Sequence, residues 1–371
     1  MKVKISDLYD VSSSKRVFQS EWRNSGVPFY RAREIAKLAS DGYVDNELFI
    51  DENLYSEYVE RYGKPQPGDI IITGVGTLGV CYVVKPEDRF YFKDGNILWF
   101  RQKAPDQIKS EYLVRAFDSK DVKDFIVRNS SGTTVGTFTI QTANKLEINL
   151  PPINEQEEVI DKLSRIEEII KKREEELQLL DTLIKARFIE MFGEPISNTK
   201  KLSLQKLGDI CELKAGDFTI ATDIHEKQDK DNPYPCYGGN GIRGYVNNYT
   251  HDGDYPIIGR QGALCGNIQY AIGKFRNTEH AILVTPKIEI NKIWLYELLI
   301  LENLNRYQTG AAQPGLAVKT LNIIKIPIAD IMLQNDFAAF VSQVDKSKVA
   351  VQKALDEAQL LFDSLMQEYF G

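Results

Sequence analysis

At 371 residues, 43% hydrophobic and 27% charged, with a formal net charge of −7, the chain has the length of two or three domains with separate cores. No run of 18 apolar residues could span a membrane, and Met1-Lys2-Val3-Lys4-Ile5 lacks the apolar stretch of a signal peptide. Cys81, Cys211, Cys236 and Cys265 form no CxxC pair, and the three histidines stand apart at 225, 251 and 280. That pattern argues against a metal site and predicts reduced thiols in a cytoplasmic protein.

The acidic excess is local. Residues 1–150 carry 21 basic and 21 acidic side chains, and 203–327 carry 13 of each. The excess lies in 151–202 and 328–371, so two neutral blocks alternate with two acidic segments.

Residues 1–150 read as a mixed α/β block. Lys2–Val11 is a strand or short helix, Val27-Pro28-Phe29-Tyr30 is extended, and Arg31–Lys37 and Asn53–Tyr62 are short helices. Ile70-Ile71-Ile72 is a buried strand, followed by strands at Val80–Val84, Phe90–Phe92 and Ile97–Phe100. Glu111–Asp118 is helical, Ser130–Gly136 is a polar loop, and Leu146–Leu150 is a last strand before Pro151-Pro152.

Asn154–Phe192 is a rod. Its apolar residues, Val159, Leu163, Ile166, Ile170, Leu177, Leu180, Ile184 and Met191, step alternately by four and three, with Arg173 and Arg187 filling the gaps. That is a coiled-coil seam on a helix roughly 58 Å long. Asn154 and Glu157 read as its capping box, and Gly193 and Pro195 as its stop.

Residues 203–327 repeat the plan of the first block. Leu204–Ile210 echoes Val3–Leu8, Tyr234-Pro235-Cys236-Tyr237 echoes Val27–Tyr30, and Pro256-Ile257-Ile258-Gly259 echoes Ile70–Thr73. The rod then recurs at a fixed offset, with seam positions Phe337, Val341, Val344, Lys348, Val351, Leu355, Ala358, Phe362 and Tyr369. This is a duplicated half-protein, not a solenoid repeat.

Motifs for catalysis are weak. Gly74-Val75-Gly76-Thr77-Leu78-Gly79 has the dinucleotide spacing, but β-like residues follow it where a helix is required. Asn232-Pro233-Tyr234-Pro235 resembles an amino-methyltransferase motif with its second proline displaced, and no donor-binding glycine turn lies nearby. There is no GK[ST] phosphate loop. The blocks do offer residue types that read DNA, since Arg forks onto guanine, Asn and Gln pair with adenine, and Thr meets the thymine methyl. In the first block these are Arg31, Arg33, Thr73, Lys93, Asn96, Thr133 and Thr134. In the second they are Asn240, Arg243, Arg260, Gln261, Arg276, Asn277 and Gln313.

The rod entry Leu150-Pro151-Pro152-Ile153-Asn154-Glu155-Gln156-Glu157, the stretch Gly68–Ile72 with Gly76–Gly79, Pro28–Arg31 and the C-terminal Ser364–Gly371 together resemble the specificity (S) subunit of type I restriction-modification systems. The resemblance covers the whole chain. It implies α/β (α+β) target recognition domains in two copies, at 1–150 and 203–327. They alternate with two long helices, at 151–202 (with a linker) and 328–371, which form an antiparallel coiled coil with an internal pseudo-two-fold repeat. It also implies a non-catalytic subunit in which each domain reads one half of a bipartite double-stranded DNA target. The helices would set the spacer and dock two modification subunits, and restriction subunits would complete the complex. S-adenosylmethionine, ATP and magnesium would belong to those partners. The alternatives are a single-chain DNA methyltransferase or nuclease with degenerate motifs, and a protein-only coiled-coil scaffold.

Overall fold

Two uninterrupted helices of 40 residues each, Ile153–Phe192 and Ile331–Phe370, stand 178 residues apart and contain neither glycine nor proline. The first ends at Gly193, whose φ of +77° and hydrogen bond to the Ile189 carbonyl make a left-handed C-terminal cap. The structure, a computed structural model, describes residues 2–45, 47–130, 136–262, 264–310 and 314–371. The chain divides into two units, 1–172 with 355–371, and 173–354. Each unit therefore holds one half of each long helix. Among the described residues, no helix is long and apolar enough to cross a membrane.

In the first unit the strands are β1 (Lys2–Lys4), β2 (Tyr9–Ser12), β3 (Trp22–Arg23), β4 (Val27–Tyr30), β5 (Phe49–Ile50), β6 (Ile70–Thr73), β7 (Cys81–Val83), β8 (Tyr91–Phe92), β9 (Ile97–Gln102) and β10 (Glu147–Asn149). They form a β1–β10 pair and two sheets ordered β2-β9-β6-β7 and β3-β5-β4-β8. β6 sits inside its sheet, and the β-branched run Ile70-Ile71-Ile72 is buried on both faces.

The second unit has β11 (Ser203–Lys206), β12 (Cys211–Ala215), β13 (Tyr234–Gly238), β14 (Gly241–Val246), β15 (His251–Asp252), β16 (Tyr255–Gly259), β17 (Ile268–Ala271), β18 (Lys274–Asn277), β19 (Ala281–Pro286) and β20 (Lys325–Ile328). Its β11–β20 pair and its β12-β19-β16-β17 sheet repeat the first unit strand for strand. The remaining sheet keeps a parallel pair at the same place. Phe29 faces Tyr91 across β4 and β8, and Cys236 faces Arg276 across β13 and β18. The copies differ beside that pair, where β5 follows β4 in one sheet and the β13–β14 hairpin takes its place in the other.

Within each unit the start of one long helix lies against the end of the other, so the halves run antiparallel. In the first, Val159 and Leu163 pack with Phe362, Leu365, Met366, Tyr369 and Phe370 over Tyr112. In the second, Ile184, Phe188 and Phe192 meet Phe337, Val341 and Val344. Phe188 and Phe192 are buried although the four-three series passes through Met191 instead. The buried stripe widens there because the helix also packs on Trp294, whose ring lies 5.8 Å from that of Phe192. Of the other seam positions, Ile166 and Val351 are buried, while Ile170, Leu177, Leu180, Leu355 and Phe362 are half-buried.

Two of the three seam cations, Lys348 and Arg173, resolve differently, while Arg187 pairs with Glu190 at 2.8 Å along its own helix. Lys348 bonds Asp181 on the facing helix at 2.6 Å, and Arg173 pairs along its own helix with Glu176 at 2.6 Å. The expected Asn154 cap is not formed. The helix begins at Ile153, which places Asn154 inside its first turn. A buried glutamine ties the helix entry down instead. Gln156 accepts from the Lys109 N–H and donates to the Gln107 and Pro151 carbonyls. Its counterpart Gln334 accepts from the Asn291 N–H and donates to the Ala329 carbonyl.

Candidate nucleic-acid interface

The same backbone hydrogen bonds build one loop cluster in each unit. In the first, the Gly74 N–H donates to the Asn96 carbonyl at 2.8 Å, and the Phe138 N–H donates to the Gly74 carbonyl at 2.9 Å. In the second, Arg260 N–H donates to His280 at 2.9 Å, and Leu316 N–H donates to Arg260 at 2.8 Å. The loop after β6 closes with Gly79 N–H on the Thr73 carbonyl, and the loop after β16 with Gly266 N–H on the Gly259 carbonyl. Gly79 and Gly266 both take positive φ, +78° and +89°. Phe138 and Leu316 anchor the third segment, both fully buried. Gly74 therefore corresponds to Arg260, and Asn96 to His280. One frame displays different side chains in its two copies.

The glycine series Gly74–Gly79 belongs to this frame. A strand, β7, follows it, so the loop does not open directly into a helix as the dinucleotide motif requires. A Cβ on Gly74 would stand 2.9 Å from the Phe138 carbonyl oxygen and 3.3 Å from that of Asn96. Only glycine lets these backbones meet so closely.

In the second unit Asn240, Arg260 and Gln261 come together. The Asn267 amide donates to Asn240 Oδ1 at 2.9 Å, and Gln261 bridges Gly315 in antiparallel fashion. Asn240 and Gln261 are exposed, and Arg260 is half-exposed with Nη1 3.4 Å from the Glu279 carbonyl. His280, its Nε2 3.1 Å from Glu279, and Asn267 join the cluster from outside the candidate residues of the sequence. The Arg260 N–H on the His280 carbonyl and the close approach of Gly239 bring His280 in, and no local motif signals it. Arg243 is exposed on β14. Arg276 is held by Thr219 Oγ1 at 3.1 Å and Asn248 Oδ1 at 2.7 Å.

In the first unit Asn96 and Lys93 are half-exposed, and the Lys93 N–H bonds the Tyr30 carbonyl beside Arg31. The Arg31 guanidinium is engaged, with Nε and Nη2 donating to Glu34 at 3.0 and 2.6 Å. Arg33 donates to the same carboxylate. Burial works to raise the Glu34 carboxyl, and the hydrogen bonds from Arg31 and Arg33 outweigh it and hold the group below the usual carboxylate range.

Two expected base contacts are buried instead. Thr73 donates to the Thr77 carbonyl and accepts from the Val80 N–H, because its hydroxyl closes the loop. Asn277 donates to the Ala281 carbonyl at 2.8 Å, beneath Gly216, where a Cβ would collide with it. Thr133, Thr134 and Gln313 lie outside the described residues.

The sequence matches the family described as type I restriction modification DNA specificity domain over residues 1–179 and again over 200–358. Among its relatives, the type I restriction enzyme EcoprrI specificity subunit of Escherichia coli is 45% identical over 139 residues, 38% of this chain and 35% of that protein. The type I restriction enzyme MjaIX specificity subunit of Methanocaldococcus jannaschii is 24% identical over 240 residues, 60% and 54% of the two chains. The chain thus spans about a third to a half of the length of these relatives. A crystal structure of the type I restriction-modification system S subunit from M. genitalium shares the fold, with a TM-score of 0.62 at 18% identity, covering 100% of this chain and 96% of that one. With the family pattern present twice and the loop frame built twice, the chain belongs to the type I restriction modification DNA specificity domain family.

Proposed function

We propose that this chain is the DNA sequence-specificity subunit of a type I restriction-modification complex and carries no catalytic site of its own. Each loop cluster reads one half of a bipartite double-stranded target. Arg260 suits guanine O6 and N7, and Asn240, Gln261 and Asn96 suit adenine. Lys93 and Arg243 suit phosphate, whose contacts position the duplex without reading it. The long helices dock two modification subunits and set the spacer, and restriction subunits complete the assembly in the cytoplasm. S-adenosylmethionine, ATP and magnesium belong to those partners.

The observation that carries this reading is the pair of equivalent frames with unlike side chains. A single enzyme active site has no use for a second, differently furnished copy, whereas a split asymmetric target needs one reader for each half. The test is S-adenosylmethionine binding and methyl transfer by the purified chain alone, then with its modification subunit. The chain alone is expected to do neither, and the assembled pair to methylate adenine at a bipartite sequence. Methyl transfer by the isolated chain would overturn the reading.

A further inference from the structure

In the second unit, the first long helix near Asp181, the second near Lys348 and the helix Lys292–Leu301 border an open cleft of about 670 Å³. Glu297 lines it and is only 7% exposed. Among the described residues, no hydrogen bond or ion pair reaches its carboxyl. Burial pushes this carboxyl up to about 7, with Lys348 and Lys185 drawing it down and Asp345 and Asp181 pushing it up. Lys348 does not satisfy it, being held by Asp181 at 2.6 Å and Asp345 at 3.5 Å. Those carboxylates outweigh the effect of burial and keep the Lys348 ammonium above its ordinary value. Asp254, the remaining carboxylate on the cleft, accepts from the Gly273 N–H.

The cleft wall is otherwise aliphatic and aromatic. Ile184, Ile293 and Val341 line it, and the Tyr270 and Tyr296 rings pack 5.3 Å apart. A largely buried carboxyl without a protein partner, in a cleft lined by aliphatic and tyrosine side chains, suits a cation on an aliphatic stem. We propose that this cleft binds an alkylammonium group, with Glu297 as its counter-ion. A free diamine and the lysine side chain of a partner protein present the same chemistry.

The probe is cadaverine, titrated calorimetrically into the full chain at constant ionic strength. One saturable site is expected at pH 8. Binding at pH 6 is expected to be about tenfold weaker, because a proton must first leave a carboxyl that titrates near 7. Glu297→Gln, a neutral replacement of the same shape, should weaken binding at least tenfold and remove the pH dependence, with its folding checked by thermal melting. The wild-type pH profile tests the proposal even where the variant folds poorly. Absence of saturation, equal binding by Glu297→Gln, or a pH-independent wild-type affinity overturns it. Titration of the complex with the modification subunit then separates the sources, and this arm alone rests on the proposed function. Binding that persists there identifies a free amine, and binding displaced by the subunit identifies a partner lysine.

Discussion

Phe337→Ala destabilises the second unit by about 3–5 kcal/mol, the range for removing a large buried aromatic side chain. Phe337 is fully buried. Its ring meets Phe188 at 5.3 Å and Phe192 at 5.7 Å, both edge to face, and both of those rings also meet Trp294. Edge-to-face pairs add to simple area burial, and three stiff rings cannot readily close over the void. The repeat supplies a control. Val159, the equivalent position of the first long helix, is buried too but offers far less volume to lose, so Val159→Ala should cost less. Chemical denaturation measures both. A loss below about 1 kcal/mol for Phe337→Ala would mean that the aromatic nest does not hold the helix halves to the second unit.

Three glycines of the loop frames should rank as Gly266→Ala, then Gly79→Ala, then Gly262→Ala. All three have positive φ, where an L-residue is strained by about 1–2 kcal/mol. Gly262 has nothing within 4 Å of a new Cβ, so its cost stops there. At Gly79 the Cβ would come 2.9 Å from Ile126 Cδ1, the end of a side chain that can rotate. At Gly266 it would stand 2.6 Å from the Asn305 nitrogen, so backbone has to move. Gly266 closes the loop that carries Arg260, so its replacement should also weaken DNA binding by the second unit. Melting temperatures of the three variants decide the matter, and a Gly262→Ala as damaging as Gly266→Ala would contradict the frame described above.

The long helices were legible because seam spacing and the absence of glycine and proline act over forty residues, and the duplication repeats every such signal. The short elements were less so. The helix Lys120–Asn129 buries only Val122 and Ile126, too little periodicity to read, and Ile140–Lys145 is scarcely longer than a turn. The echoes at Tyr30 and Tyr237 align because parallel pairing holds both strands in the same register. Reading residues were harder to find. Thr73 and Asn277 have the right chemistry, but their own loops take up their hydrogen bonds. Arg31 is latched by Glu34, a pairing visible three residues along the helix start. His280 enters through a hydrogen bond that only the folded sheet creates.

The most direct test of the account maps methylated adenines in cells carrying the assembled complex with Arg260→Ala and Gln261→Ala in this chain. Alanine keeps the backbone N–H and carbonyl of residue 260, which hold His280 and Leu316, so the frame survives while its side chains are lost. Loss of one good base contact is worth about 1–3 kcal/mol of discrimination. One half of the bipartite target is expected to relax while the other half and the spacer stay as they were. Relaxation of both halves together, or an unchanged target, would contradict that expectation.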